Sequence, residues 1–350
     1  MSRISILLIG NFLSKSKGAK SVSEEIASLF NLKKEWSVIT ASSHRNRLLR
    51  LLDIIQTILF QHHKYDVAYI EVYSGLAFVW AEVSARLLYW LNKPFILALH
   101  GGGLPVFNEH HTSRIQKLLS LATTVTTPSF YIQQSFRIFR EDIIYLPNGL
   151  KLHKYPFKLR LNPKPNLCWL RAFHKIYNPN LAIEVVNSLR RSFVDIHLTM
   201  IGPNIGDGSL EQTLEMIESY GLAENISIIG SVSKDDVPCW LEKSDIFINT
   251  THLESFGVGV MEAGALGLPI ISTNVGELEY LWINGENAIL VPDNDSAAMT
   301  EAILRVLNEP NLAEKLSRNA RSNAERYDWL EILPQLEQLI CKTVGANEHI

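Results

Sequence analysis

At 350 residues the chain exceeds the usual size of one hydrophobic core, so two domains of roughly 150 residues each are expected. With 47% apolar residues, 20% charged residues and a formal net charge of -3, the composition is that of an ordered globular protein and gives no support to nucleic-acid binding. Its three cysteines, Cys168, Cys239 and Cys341, lack paired-ligand spacing, which argues against a disulfide or zinc framework and fits a reduced compartment, the cytosol being the simplest.

The run ISILLIG at 4–10 is too short for a signal peptide and reads as a first buried strand, followed by a helix predicted to begin near Ser21. WSVIT at 36–40 reads as the next strand. The segment Arg45–Phe60, RNRLLRLLDIIQTILF, has a cationic start and a leucine-isoleucine body. It either packs on a core with one solvated end or lies on an anionic membrane surface as a peripheral contact. VAYIEV at 67–72 and FILAL at 95–99 are further strands. The longest apolar stretch, Leu76–Leu91, contains Glu82 and Arg86 and falls short of the roughly 20 apolar residues of a spanning helix, so no transmembrane segment is predicted.

The strand-helix alternation restarts after the Pro-rich, basic segment Lys154–Pro165, with LCWL at 167–170, VDIHLTMIG at 194–202, ISIIG at 226–230, DIFIN at 245–249 and PIIST at 269–273. Helical patterns at 311–327 and 329–344 close the chain. Such alternation specifies parallel sheets. The expectation is therefore an α/β fold of two Rossmann-like, doubly wound domains facing a cleft, 1–155 and 156–330, with a final helix, 331–350. In such sheets ligands bind outside the carboxyl ends of the strands, so the loops after the strands are where chemistry is sought.

The sharpest of those loops is E-S-F-G-V-G-V-M-E, between the DIFIN and PIIST strands, with Glu254 and Glu262 at its ends. Gly257 and Gly259 allow a ligand close to the backbone, and a helix starting at Val258 would offer free amides and a positive dipole end, a seat for a diphosphate. Glu262 could accept from a ribose diol and Glu254 from sugar hydroxyls. A pair of ordinary surface carboxylates is the plainer alternative. Against it, Glu262 sits among Met261, Ala263, Gly264 and Ala265, a small-residue helix that reads as buried, where an unpaired carboxylate would be costly.

With the following G-L-P-I-I-S-T-N-V-G-E, this region resembles the retaining nucleotide-sugar glycosyltransferases often called family four, which have the GT-B fold. The likeness is strongest from about Leu167 to Asp295. It implies that Glu254 contacts the transferred sugar, that Glu262 holds the nucleotide ribose, and that the Phe256-Gly257 backbone, with Ser255 and Val258 in the same turn, faces the sugar and phosphates. It also implies that Arg171, after LCWL, grips the donor diphosphate with a lysine a few residues on. Here Leu170 stands where the family usually has glycine, and the nearby lysine is Lys175; ordinary surface cations are the alternative reading of both.

On the N-terminal side, His100 in L-H-G-G-G-L resembles a histidine close to the transferred sugar, although a structural histidine capping the loop fits as well. Gly18, in Gly18-Ala19, resembles the first of a donor-contacting diglycine, its second glycine replaced by alanine; a plain helix start is the rival. Adjacent histidines at 62–63 and 110–111 point apart on a helix, so no metal ligands and no cofactor are expected. Asp293-Asn294-Asp295 reads as a helix start with Asp295 as its N-cap.

The resemblance implies transfer of a hexose-type sugar from a UDP- or GDP-linked donor to a saccharide or lipid-linked acceptor hydroxyl with retention of configuration, in polysaccharide or glycolipid biosynthesis. Alternatives are another nucleotide-sugar enzyme of the same architecture, an epimerase or disaccharide synthase, and a catalytically silent partner subunit.

Overall fold

The computed structural model describes residues 3–13 and 21–345. The chain forms two compact units. One runs up to Asn148 and takes up the chain again from Ile332, and the other is Gly149–Glu331.

The first unit is built on six parallel strands, β1 (Ile4–Ile9), β2 (Trp36–Ala41), β3 (Val67–Val72), β4 (Phe95–Leu99), β5 (Thr124–Thr127) and β6 (Ile144–Tyr145), in the order β2-β1-β3-β4-β5-β6. Every residue of β3 and β4 is buried. This is why their sequences are nearly continuous apolar runs, interrupted by Glu71, and not alternating ones. Leu7, Ile9, Ile70, Val72, Leu97 and Leu99 share one core with helices Arg47–Phe60 and Phe78–Trp90. The predicted start near Ser21 is a capping box: the Ser21 hydroxyl accepts from the Glu24 amide and the Glu24 carboxylate accepts from the Ser21 amide, opening helix Val22–Phe30. The last helix, Trp329–Gly345, joins this unit from Ile332 onward, where Glu337 pairs with Lys33 at 2.5 Å and the Thr343 and Thr124 hydroxyls meet at 2.9 Å.

The second unit repeats the plan with β7 (Asn166–Leu170), β8 (His197–Ile201), β9 (Ile226–Gly230), β10 (Ile246–Asn249), β11 (Ile270–Thr273) and β12 (Ile289–Val291), ordered β12-β11-β10-β7-β8-β9 and parallel throughout. Side chains alternate across β7, so Leu167 and Trp169 enter one core and Cys168 the other. Burial pushes the Cys168 thiol up to about 12, which makes it a small apolar filler. All three cysteines are free.

The segment expected to be a linker, Lys154–Pro165, packs against this second unit. Tyr155 and Arg160 are buried, and the Arg160 guanidinium donates to the carbonyls of Lys158 and Ser244 at 2.5 and 3.1 Å. The division itself falls at Asn148, because Leu150 bonds to the backbone of Tyr327 (2.7 Å) and Trp329 (3.0 Å). Among the described residues no helix is long and apolar enough to cross a membrane.

Candidate donor-binding site

In each sheet the strand order reverses beside its first strand, between β1 and β3 in one and between β7 and β10 in the other. That reversal leaves a crevice at the carboxyl ends of the two strands, because the crossover helices leave on opposite faces.

In the second unit, three segments converge on this crevice. Arg171 follows β7, its amide donating to the Ile201 carbonyl at 3.0 Å. Its guanidinium donates to the Asn249 side-chain oxygen at 3.3 Å, pairs with Glu254 and lies 5.5 Å over the Tyr177 ring. The pair is nearly buried, with side-chain exposures of 12% for Arg171 and 11% for Glu254. Asn249, fully buried at the end of β10, is itself fixed by its amide donating to Ser272 at 2.9 Å. The other oxygen of Glu254 accepts from the amides of Ser255 (3.0 Å) and Phe256 (3.3 Å), so both its oxygens are engaged.

Gly257 then takes a left-handed conformation (φ 84°) and opens the helix Val258–Ala265 with no side-chain cap. The amides of Val258 to Val260 precede the first intrahelical bond, Met261 N to Gly257 O, and carry the positive end of the helix dipole. Arg171 lies against this turn: a Cβ on Gly259 would stand 3.4 Å from its Nη1 and 3.1 Å from the Leu170 carbonyl. A guanidinium and a helix N-terminus together make a seat for a phosphate-sized anion. The Phe256 ring is buried edge-on against Tyr327, so this residue presents only backbone to the crevice.

The helix is buried from Gly259 to Ala265 because its small residues admit close neighbours. A Cβ on Gly264 would stand 2.8 Å from the Trp282 ring. Within it Glu262, 4% exposed, accepts from the Tyr155 hydroxyl at 2.7 Å. Glu262 lies one turn after Val258, on the same helical face. Tyr155 belongs to the segment that reads as a linker, and nothing in its sequence marks it as a partner for a residue 107 positions on.

Lys175 opens a short 3-10 turn, Lys175–Tyr177, which Asp207 anchors by accepting from the Lys175 amide at 2.9 Å. That bond above all, with further donors from Ser209, holds the Asp207 carboxyl down to about 2. The Lys175 side chain is exposed and makes no hydrogen bond or ion pair among the described residues. Asp295 caps helix Ser296–Asn308, accepting from Ala298 at 2.8 Å, and Asp293 pairs with His252 at 2.8 Å. Both carboxylates of Asp293-Asn294-Asp295 are thus engaged in local structure.

His100 belongs to the first unit, at the end of β4. It is 6% exposed, its amide donates to the Val72 carbonyl at 2.9 Å, and its ring stacks on Tyr73 at 5.8 Å. Burial holds its imidazole below the usual value, with Glu71 opposing. Its Nε2 is buried without a hydrogen-bond partner among the described residues. Gly18 lies outside the described residues.

The fold places the chain among GT-B proteins. It resembles sucrose-phosphate synthase from Thermosynechococcus elongatus with a TM-score of 0.78 at 17% identity, over 98% of this chain and 100% of that one. It resembles HepE of Anabaena, solved with UDP and glucose, with a TM-score of 0.75 at 17% identity, over 96% and 99%. Residues 153–323, most of the second unit, match the family described as glycosyl transferases group 1. An uncharacterised glycosyltransferase of Methanocaldococcus jannaschii is 24% identical over 269 residues, 74% of this chain and 71% of that protein.

Proposed function

We infer that the protein transfers a hexose-type sugar from a nucleoside-diphosphate sugar to an acceptor hydroxyl, with retention of anomeric configuration, in polysaccharide or glycolipid synthesis in the cytoplasm. The observation that carries this reading is the Arg171 guanidinium set against the uncapped N-terminus of Val258–Ala265, with Glu254 and Glu262 at either side. A diphosphate seated there leaves its sugar toward Glu254 and its ribose toward Glu262. The bond from the anomeric carbon to the phosphate oxygen breaks as the bond to the acceptor oxygen forms. The departing phosphate takes the acceptor proton, its charge balanced by Arg171 and the helix amides, and no metal or cofactor is invoked. The acceptor, a saccharide or a lipid-linked one, is received by the first unit.

Calorimetric titration with UDP and with GDP tests the donor half. One of the two is expected to bind, and Glu262→Ala to weaken it roughly ten- to a hundredfold, the worth of a hydrogen bond to a charged acceptor, about 1.5–3 kcal/mol. Tyr155→Phe, which keeps the carboxylate, serves as the control and should bind nearly as wild type. Failure of both nucleotides to bind would favour a silent partner subunit instead.

Helix Arg47–Phe60 supports a peripheral membrane contact as well. Leu48, Leu49 and Leu52 are 72%, 52% and 53% exposed beside Arg47, while Ile54 and Ile58 face the core. The chain should therefore co-sediment with phosphatidylglycerol vesicles and much less with phosphatidylcholine ones. Replacing the three leucines by serine should abolish the difference, and a variant that still sediments with phosphatidylglycerol vesicles as wild type does would sink the idea.

A further inference from the structure

The first unit has a crevice of its own at the reversal between β1 and β3, and it holds a cavity of about 240 Å³. This is below the ~300–1,000 Å³ of sites for drug-sized ligands and suits one small polyol-sized group. Its walls are apolar, from Ile54, Ile70 and Trp80, and its polar groups are Asn11, Arg50, Glu71 and Tyr73.

Arg50 is the unusual member. It is 8% exposed, on the inward side of helix Arg47–Phe60, where a charge is costly unless paired. Its Nε donates to the His44 carbonyl at 3.1 Å and its guanidinium lies 4.7 Å over the Trp80 ring, but it forms no ion pair among the described residues. Glu71 lines the same cavity without closing on it: one Glu71 oxygen accepts from the Ser23 amide at 3.0 Å and the other from the Tyr73 hydroxyl at 3.3 Å. Burial and the neighbouring Arg47 both hold the Arg50 guanidinium below its ordinary value, as befits a cation without an anion. The exposed Arg47, one turn before Arg50, adds a second positive charge to the same stretch of helix. A planar guanidinium with spare N–H donors matches phosphate oxygens in pairs.

We propose that this cavity is a phosphate-recognition subsite of the acceptor: the Arg50 guanidinium grips a phosphate carried by a polyol, and Glu71 and Asn11 meet the polyol hydroxyls. The subsite rests on the reading that the first unit receives the acceptor. It selects phosphorylated acceptors over neutral sugars, and the phosphate can belong to a sugar phosphate or to the headgroup of a lipid.

Calorimetry on the full chain tests it without an activity assay. The probes are glucose 6-phosphate, a phosphomonoester, and glycerophosphoglycerol, a deacylated lipid headgroup, each against glucose; whichever phosphate binds names the source. At least one is expected to bind about tenfold or more tightly than glucose, with affinity falling as salt is added. Arg50→Met keeps an unbranched apolar stem over Trp80 and should weaken that probe at least about tenfold. Ala77→Phe, which fills the cavity and leaves Arg50 in place, should block it. UDP and GDP titrations run alongside report on the second unit, so a folded chain that binds nucleotide but neither phosphate probe overturns the subsite and leaves the donor reading standing. A phosphate probe that binds wild type and Arg50→Met equally overturns it too.

Discussion

Replacing Arg171 with alanine is expected to lower kcat for sugar transfer by about 10²–10³-fold, the loss typical of removing one donor aimed at a developing anion. The position of this cation is over-determined. Its amide is tied to Ile201, and its guanidinium is held by Asn249, Glu254 and the Tyr177 face against the first turn of Val258–Ala265. Groups fixed in this way need not reorganise as the diphosphate gathers charge, which is where their advantage over water lies. Arg171→Lys should recover only part of the rate, because an ammonium is a point charge and cannot bond Asn249 and Glu254 in the same fork geometry. The ion pair also contributes to stability. Both side chains keep some solvent and Glu254 retains two amide donors, so the folding cost of Arg171→Ala should stay below the about 3–5 kcal/mol of breaking a fully buried pair. Steady-state rates at saturating donor, with thermal melts beside them, separate the two effects. A folded Arg171→Ala that keeps kcat within about threefold of wild type would remove Arg171 from the chemistry.

The Arg171-Glu254 contact also marks where sequence reading stops. Each residue is conspicuous alone, one after a strand and one before a glycine-bearing turn, but they are 83 positions apart and meet only because β7 and β10 are neighbours in the sheet. Strands such as Val67–Val72 and Ile246–Asn249 were legible because a strand covered on both faces is a nearly continuous apolar run, here with a single polar residue in each, Glu71 and Asn249. Thr124–Thr127, Ile144–Tyr145 and Ile289–Val291 were not: the first is mostly threonine, and the other two are two and three residues long. Glu262 was suspected of burial from its small neighbours and is indeed 4% exposed, whereas the hydroxyl that meets it comes from Tyr155, in a segment whose prolines and basic residues read as a linker. Arg50 gave no signal at all. In a helix of period 3.6 an arginine among leucines reads as part of the solvated face, yet here the leucines at 48, 49 and 52 are outside and the arginine is inside.

Gly276→Ala is expected to destabilise the second unit by about 2–4 kcal/mol and to weaken nucleotide binding with it. Gly276 has φ +57°, and a Cβ there would stand 2.1 Å from the Glu254 carbonyl oxygen, a backbone atom that cannot swing aside as a side chain can. That carbonyl accepts from the Glu277 amide at 2.9 Å, and this bond holds the loop that presents Glu254 to Arg171. Two costs therefore add, left-handed strain on a residue with a Cβ and displacement of the loop. Gly285→Ala separates them: its φ is +75°, so the strain is similar, but no heavy atom lies within 4 Å of the added Cβ. It should lose only about 1 kcal/mol. For a unit of this size each kcal/mol moves the melting temperature by about 2–4 °C, so Gly276→Ala should melt roughly 2–12 °C below Gly285→Ala. If they melt together, the contact with Glu254 relaxes at little cost and the loop is not pinned there. If they differ but Gly276→Ala still binds nucleotide as wild type, the loop is pinned for stability and Glu254 reaches its position by Arg171 alone.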